Sequence, residues 1–202
     1  MSNKTILPDA SDIVSPKKLA HVVLRTNNLK AMAPFYEVFL GGQATFKNDY
    51  ACFVTYDEEH HRVAIVQLPD LAQKLPKSCG LDLSDSHFHI EFTFQNTHDL
   101  AQVYTQRKAH GIIPLLCVNH GITMSMYYRD PDGNVIETLV DSFSDLEKQT
   151  AFMNSPEFLQ NPVGVDYDPE NLVKRLADGE AEETILKMPD IGPRGQDTVP
   201  LF

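Results

Sequence analysis

No apolar run in this chain approaches the roughly 18 residues that a membrane-spanning helix requires, so a helical membrane anchor is not expected. The opening residues, MSNKTILPDASDIVSPKK, lack the apolar segment of a secretory signal. The expectation is a soluble, cytoplasmic protein. Positive charge is also scarce: 17 Lys and Arg stand against 28 Asp and Glu, for a formal net charge of −11. That balance argues against a nucleic-acid partner, because binding to phosphate backbones rests on clustered Lys and Arg that release counterions. Cysteine is sparse as well. Cys52, Cys79 and Cys117 are odd in number, far apart and without a CxxC pair, so neither a disulfide framework nor a thiolate zinc site is indicated. They are expected to be reduced, buried apolar residues.

What remains is a chain of 202 residues, 42% of them hydrophobic, enough to bury a core as one domain or as two fused half-size modules with a tail. A repeat favours the second arrangement. LAHVVLRTNNLKAMAPFYEVFLGG (Leu19 to Gly42) recurs in outline as FHIEFTFQNTHDLAQVYTQRKAHG (Phe88 to Gly111). Each copy has a His-bearing alternating run, an Asn/Thr helix start, an amphipathic stretch and a glycine stop. In the first, Leu19 to Arg25 reads as a strand, Asn27 or Asn28 caps a helix over 29–40, and strands follow at 51–56 and 62–68. In the second, the strand is 88–94, Thr97 caps a helix running to Ala109, and strands at 122–128 and 134–140 flank the Asp130-Pro131-Asp132-Gly133 turn. Residues 1–16 form a polar arm, 17–141 the paired domain with modules of about 17–83 and 84–141, and 142–202 an acidic, partly helical extension. The extension has too little apolar periodicity for its own core and is expected to pack on the modules or on a second subunit; a homo-oligomer is expected.

His21 and His89 hold equivalent places in the two copies. Glu137 lies on the last strand of the second copy, on the same face as Val135 and Leu139, where a carboxylate is costly to bury unless it is paired or metal-bound. Two imidazoles and one carboxylate make the facial set that holds non-haem Fe(II) and leaves positions open for substrate and dioxygen. The residues therefore point to a metal site built across a pseudo-twofold.

The segments AHVVLRTNNLKAMAPFYEVFLGG, EHHRVAIVQLP, HIEF and YYRDPDGNVIE together resemble the vicinal oxygen chelate superfamily, over about residues 17–141. Within it, the chain is most similar to single-domain type I extradiol ring-cleavage dioxygenases of the biphenyl-2,3-diol kind, whose tails PDIGPRGQD also resembles. The resemblance implies an α+β fold of paired βαβββ modules forming a cupped mixed sheet around a metal. It implies Fe(II), or Mn(II) or another divalent ion, held by His21, His89 and Glu137, with a small aromatic diol and O2 as substrates. His61 corresponds to an acid/base histidine, Tyr127 to a tyrosine that hydrogen-bonds a diol oxygen, and His120 to a substrate-side histidine. One departure is Glu91, two residues after His89 on the same face, where many relatives carry a small apolar residue; it is a candidate substrate-side group. Two other classes compete. A redox-neutral isomerase, lyase or cyclase needs a fourth protein ligand on the last strand of the first module, whose His61 face offers Val63, Ile65 and Gln67. A non-catalytic binding protein of the superfamily typically lacks the metal triad that this chain keeps.

Overall fold

The computed structural model describes residues 14–69, 89–195 and 198. Cys79, Phe88 and the expected module boundary near residues 83 and 84 lie outside the described residues. Strand β1 (Val22–Thr26) buries Leu24 and Thr26 and exposes Val23 and Arg25, the period-two pattern of a half-buried strand. Helix α1 (Leu29–Leu40) buries Leu29, Met32, Ala33, Tyr36 and Phe39, one face at helical spacing. It stops at Gly41, whose φ of 60° is costly for any residue with a Cβ. Strands β2 (Gln43–Lys47), β3 (Ala51–Thr55) and β4 (Val63–Gln67) follow, and the sheet order is β1-β4-β3-β2 with β1 parallel to β4.

The second module repeats this plan. Strand β5 (Ile90–Thr93), helix α2 (Thr97–Ala109) and strands β6 (Leu116–Asn119), β7 (Thr123–Arg129) and β8 (Val135–Asp141) form a sheet in the order β5-β8-β7-β6, with β5 parallel to β8. The repeat in the sequence is thus a repeat of topology. Two local readings change. Strands β2 and β6 were not expected as separate elements. Asn96, not Thr97, caps α2, its side chain accepting from the Asp99 amide at 2.9 Å. The Asp130–Gly133 turn is held by the Asp130 carboxylate, which accepts from the amides of Asp132 at 3.0 Å and Asn134 at 2.8 Å.

The extension is built onto the second module. Helices α3 (Leu146–Met153) and α4 (Pro156–Gln160) precede a two-residue strand β9 (Val165–Asp166) that pairs with β6. Helix α5 (Pro169–Ala177) packs on α2, and Glu170 receives both the Tyr104 hydroxyl and the Lys108 ammonium. Glu182, at the start of α6 (Glu182–Leu186), accepts from the Thr97 amide at 2.6 Å and its hydroxyl at 2.8 Å, satisfying donors at the start of α2. Leu172 and Ile185 enter the shared core. No helix among the described residues is long and apolar enough to cross a membrane.

That core lies on one face of each sheet. Cys52, Val54, Val63 and Ile65 of the first sheet and Met124, Met126, Tyr128, Ile136 and Val140 of the second join the apolar faces of the helices. Cys52 and Cys117 are free and buried. The modules meet through α1. The Tyr36 hydroxyl donates to Asp130 at 3.0 Å, and the Arg107 guanidinium donates twice to the Phe39 carbonyl, at 3.0 and 2.6 Å. Arg107 is 1% exposed and lies 3.6 Å above the Phe39 ring, and burial lowers its pKa to about 10. Its third contact is the Thr138 hydroxyl of β8, at 3.2 Å. Arg107→Ala should cost about 3 kcal/mol, because it leaves both a cavity and a carbonyl without its donor. Arg107→Met fills the volume and should cost about half as much, read as urea midpoints at unchanged slope.

Candidate functional site

On the sheet faces turned away from the helices, the two modules carry different chemistry. His89, the residue before β5, and Glu91 of β5 bring their side chains together, and Glu91 pairs directly with Glu137 of β8, which pairs in turn with Tyr127 of β7. His89 Nε2 lies 2.8 Å from a Glu137 carboxylate oxygen. Donor atoms of His89, Glu91 and Glu137 all lie within 4.8 Å of one another, the one such group of His, Cys, Asp or Glu among the described residues. Glu137 is 3% exposed. Burial pushes its carboxyl pKa up, but hydrogen bonding, first from His89 and then from Ser125, outweighs that and holds it below the usual range. The hydrogen bond to Glu137 in turn raises His89. Glu91 is exposed, and its partial burial and the Glu137 charge raise its pKa. Two carboxylates at one register repel each other, so this N,O,O donor set fits a divalent cation.

Beside it stands a second pair. His120 Nε2 lies 3.0 Å from the Tyr127 hydroxyl, and His120 Nδ1 lies 2.7 Å from the Val163 carbonyl. A carbonyl can only accept, so Nδ1 carries the hydrogen and Nε2 of the neutral ring is the base. Burial lowers the pKa of His120 and raises that of Tyr127. The imidazole is placed by the tight β6–β7 hairpin. There the His120 amide donates to Thr123 at 2.8 Å, and Gly121, at a φ of 80°, packs so closely under Phe152 that an added Cβ would meet the ring at 2.6 Å.

In the first module, Val22 pairs with Val63 as Ile90 pairs with Ile136. Carrying this register across the repeat puts Val23 where Glu91 stands, Ala64 where Glu137 stands and Phe53 where Tyr127 stands. The position that a fourth protein ligand would need is therefore Ala64. The expected face of β4 also changes: Val63 and Ile65 point into the helix-packed core, while the His61 ring, just ahead of the strand, stacks on Phe53 at 4.7 Å. Phe46 continues that aromatic wall, 5.1 Å from Phe53.

His21 is exposed at the foot of β1. Its ring lies 4.3 Å from His61 and 6.1 Å from His60. The structure thus gathers Glu91, rather than His21, with His89 and Glu137. Strands β1 and β5 are edge strands of their separate sheets, so no ladder fixes His21 against His89. Burial, with help from the neighbouring imidazoles, lowers the pKa of His61. The sequence reading missed the Val163 carbonyl, because a backbone oxygen supplied by the extension has no residue signature.

Residues 18–138 match the Glyoxalase/Bleomycin resistance protein/Dioxygenase superfamily. The chain is 40% identical over 163 residues to biphenyl-2,3-diol 1,2-dioxygenase 2 of Rhodococcus globerulus, covering 80% of this chain and 83% of that one. It is 39% identical over 174 residues to biphenyl-2,3-diol 1,2-dioxygenase 3 of the same organism, covering 85% and 88%. The fold matches the crystal structure of a glyoxylase/bleomycin resistance protein/dioxygenase domain from Frankia sp. EAN1pec with a TM-score of 0.52 at 15% identity, over 65% of this chain and 96% of that one. The shared βαβββ pairing, the imidazole and carboxylate donors on the second module and these likenesses agree: the chain belongs to the Glyoxalase/Bleomycin resistance protein/Dioxygenase superfamily.

Proposed function

We propose that this chain is a metal-dependent extradiol dioxygenase. It breaks the ring carbon–carbon bond beside a catecholic diol and adds both atoms of O2, giving a ring-opened semialdehyde or keto acid. The observation that carries the reading is the His89–Glu137 contact at 2.8 Å with the Tyr127–His120 pair beside it, in a chain 40% identical to a named biphenyl-2,3-diol dioxygenase. Metal ligands are His21, His89 and Glu137, with Fe(II) the favoured ion and Mn(II) or another divalent metal the alternative. When bound, the ion would supply Lewis acidity toward the diol and the redox chemistry that dioxygen requires.

Proton handling falls to the chain's own groups. The Tyr127 hydroxyl gives its proton to His120 Nε2 as its oxygen takes one from a diol hydroxyl, and the imidazolium that forms keeps its Nδ1–H on the Val163 carbonyl. His61, also held toward its neutral form, is the acid/base group on the opposite wall. Phe53 and Phe46 offer flat apolar surface to an aromatic ring. Glu91, the exposed member of the donor set, lies beside Glu137 without being assigned as a ligand and disfavours diols that carry an anionic substituent.

Protein purified without oxygen should hold about one iron per chain and consume catechols with about one equivalent of O2. His89→Ala, Glu137→Ala and His21→Ala should each lose the metal; retention in His21→Ala with loss in Glu91→Gln would hand the third position to Glu91. His61→Ala should keep its metal while turnover falls about 10²- to 10⁴-fold, and unchanged turnover would remove His61 from the mechanism. Glu91→Gln should narrow the preference for neutral over carboxylate-bearing catechols by roughly tenfold in kcat/KM, and a fixed ratio would exclude Glu91 from substrate choice.

A further inference from the structure

The C-terminal extension reaches the candidate site through one backbone oxygen, that of Val163, and the segment carrying it is fastened from both sides. On one side, β9 pairs Val165 with Asn119 and Asp166 with Val118, and Gly164, at a φ of 97°, crosses β6 so closely that an added Cβ would lie 2.3 Å from the Asn119 carbonyl. Within the segment, buried Asn161 accepts from the Gly164 amide at 2.7 Å and donates to the Gly164 carbonyl at 3.2 Å. On the other side stands Arg194, from the terminal PDIGPRGQD stretch, with its side chain 12% exposed. Its guanidinium donates to the Gly164 carbonyl at 3.0 Å and to the two Asp166 carboxylate oxygens at 2.8 and 3.2 Å, and its Nε donates to the Thr198 hydroxyl at 3.2 Å.

We infer that Arg194 is a positioning residue: by clamping Gly164 and Asp166 it holds the Val163 carbonyl against His120 Nδ1, which fixes His120 as the Nδ1–H tautomer and leaves Nε2 as the base facing Tyr127. The planar fork suits this, since one guanidinium reaches a carbonyl and both oxygens of a carboxylate in a fixed geometry, whereas an ammonium acts as a compact point charge. A histidine's tautomer is set by the hydrogen bond made by its other nitrogen. Without the carbonyl, the proton is free to move to Nε2, and the ring then presents a donor where the Tyr127 hydroxyl needs an acceptor. The positive charge of Arg194 also adds, after burial, to the factors that keep His120 neutral. The functional weight of this device rests on the dioxygenase reading, but the tautomer does not.

The test is nitrogen-15 NMR of the imidazole rings in the metal-free full chain, with His120 assigned by loss of its signals in His120→Gln. Wild type should show one neutral Nδ1–H tautomer at His120, Arg194→Met a substantial Nε2–H population, and Arg194→Lys an intermediate pattern. With iron restored, Arg194→Met should lose roughly tenfold in kcat with KM changed less than about twofold, the size expected when a supporting hydrogen bond of a site residue is removed. A single Nδ1–H tautomer in Arg194→Met would overturn the inference, as would a loss of kcat matched in Arg194→Lys and explained by a fallen melting temperature. If wild type consumes no catechol, the dioxygenase reading fails while the tautomer measurement still decides the role of Arg194.

Discussion

One buried guanidinium sets the relation between the two halves of this protein. Arg107 stands as far after His89 as Phe39 stands after His21, so the two residues occupy the same position in the repeat, and they meet each other: the guanidinium covers the Phe39 ring and donates twice to its carbonyl. Equivalent positions meet only where a pseudo-twofold axis passes between them. The carbonyl belongs to the last turn of α1, where the helix leaves acceptors unsatisfied and concentrates negative dipole, so a buried cation there is held without a carboxylate. Through Thr138, the same side chain grips β8 one residue from Glu137. The strand that carries the carboxylate is thus tied to the helix that follows β1.

How much of this was legible in the sequence depends on whether the signal was periodic. The repeat gave the order strand, helix, strands, and both helices fall where their apolar spacing and glycine stops put them. Strand β2 escaped because Gln43–Lys47 is an edge strand that is mostly exposed and so carries no apolar alternation. His61 was put on the face of Val63 and Ile65 by counting in twos, but it precedes β4, and alternation binds only residues inside the ladder. Arg107 is a basic residue in the last turn of α2, and its burial follows from the axis, which no single copy of the repeat reveals. The donor set was read in part: Glu91 and Glu137 share a register that a parallel pairing defines and His89 stands one residue ahead of it, whereas the place of His21 depends on how two separate sheets approach, which no local pattern encodes.

The repeat has diverged in function while keeping its backbone. At three matched positions the first module has Val23, Ala64 and Phe53 where the second has Glu91, Glu137 and Tyr127. One wall is apolar and aromatic, with imidazoles at its edge; the other is acidic and hydrogen-bonding. A symmetric cup with a carboxylate on each side would favour an ion enclosed by four protein ligands. The asymmetric pair instead combines imidazole and carboxylate donors from the second module with apolar, aromatic surface from the first.

The extension supplies the backbone acceptor that orients a histidine of the second module. In the second sheet, β6, β7 and β8 are interior strands, and ladder hydrogen bonds consume their carbonyls. The free carbonyl at His120 comes from irregular chain. The segment between α4 and β9 provides it, turning at Gly164, with a φ of 97°, and carrying the Val163 oxygen that meets His120. Irregular backbone holds such an orientation only when it is fastened, and the buried contacts of Asn161, β9 and Arg194 do so. The tail that lacks the periodicity to fold alone is therefore anchored by the module whose histidine it orients.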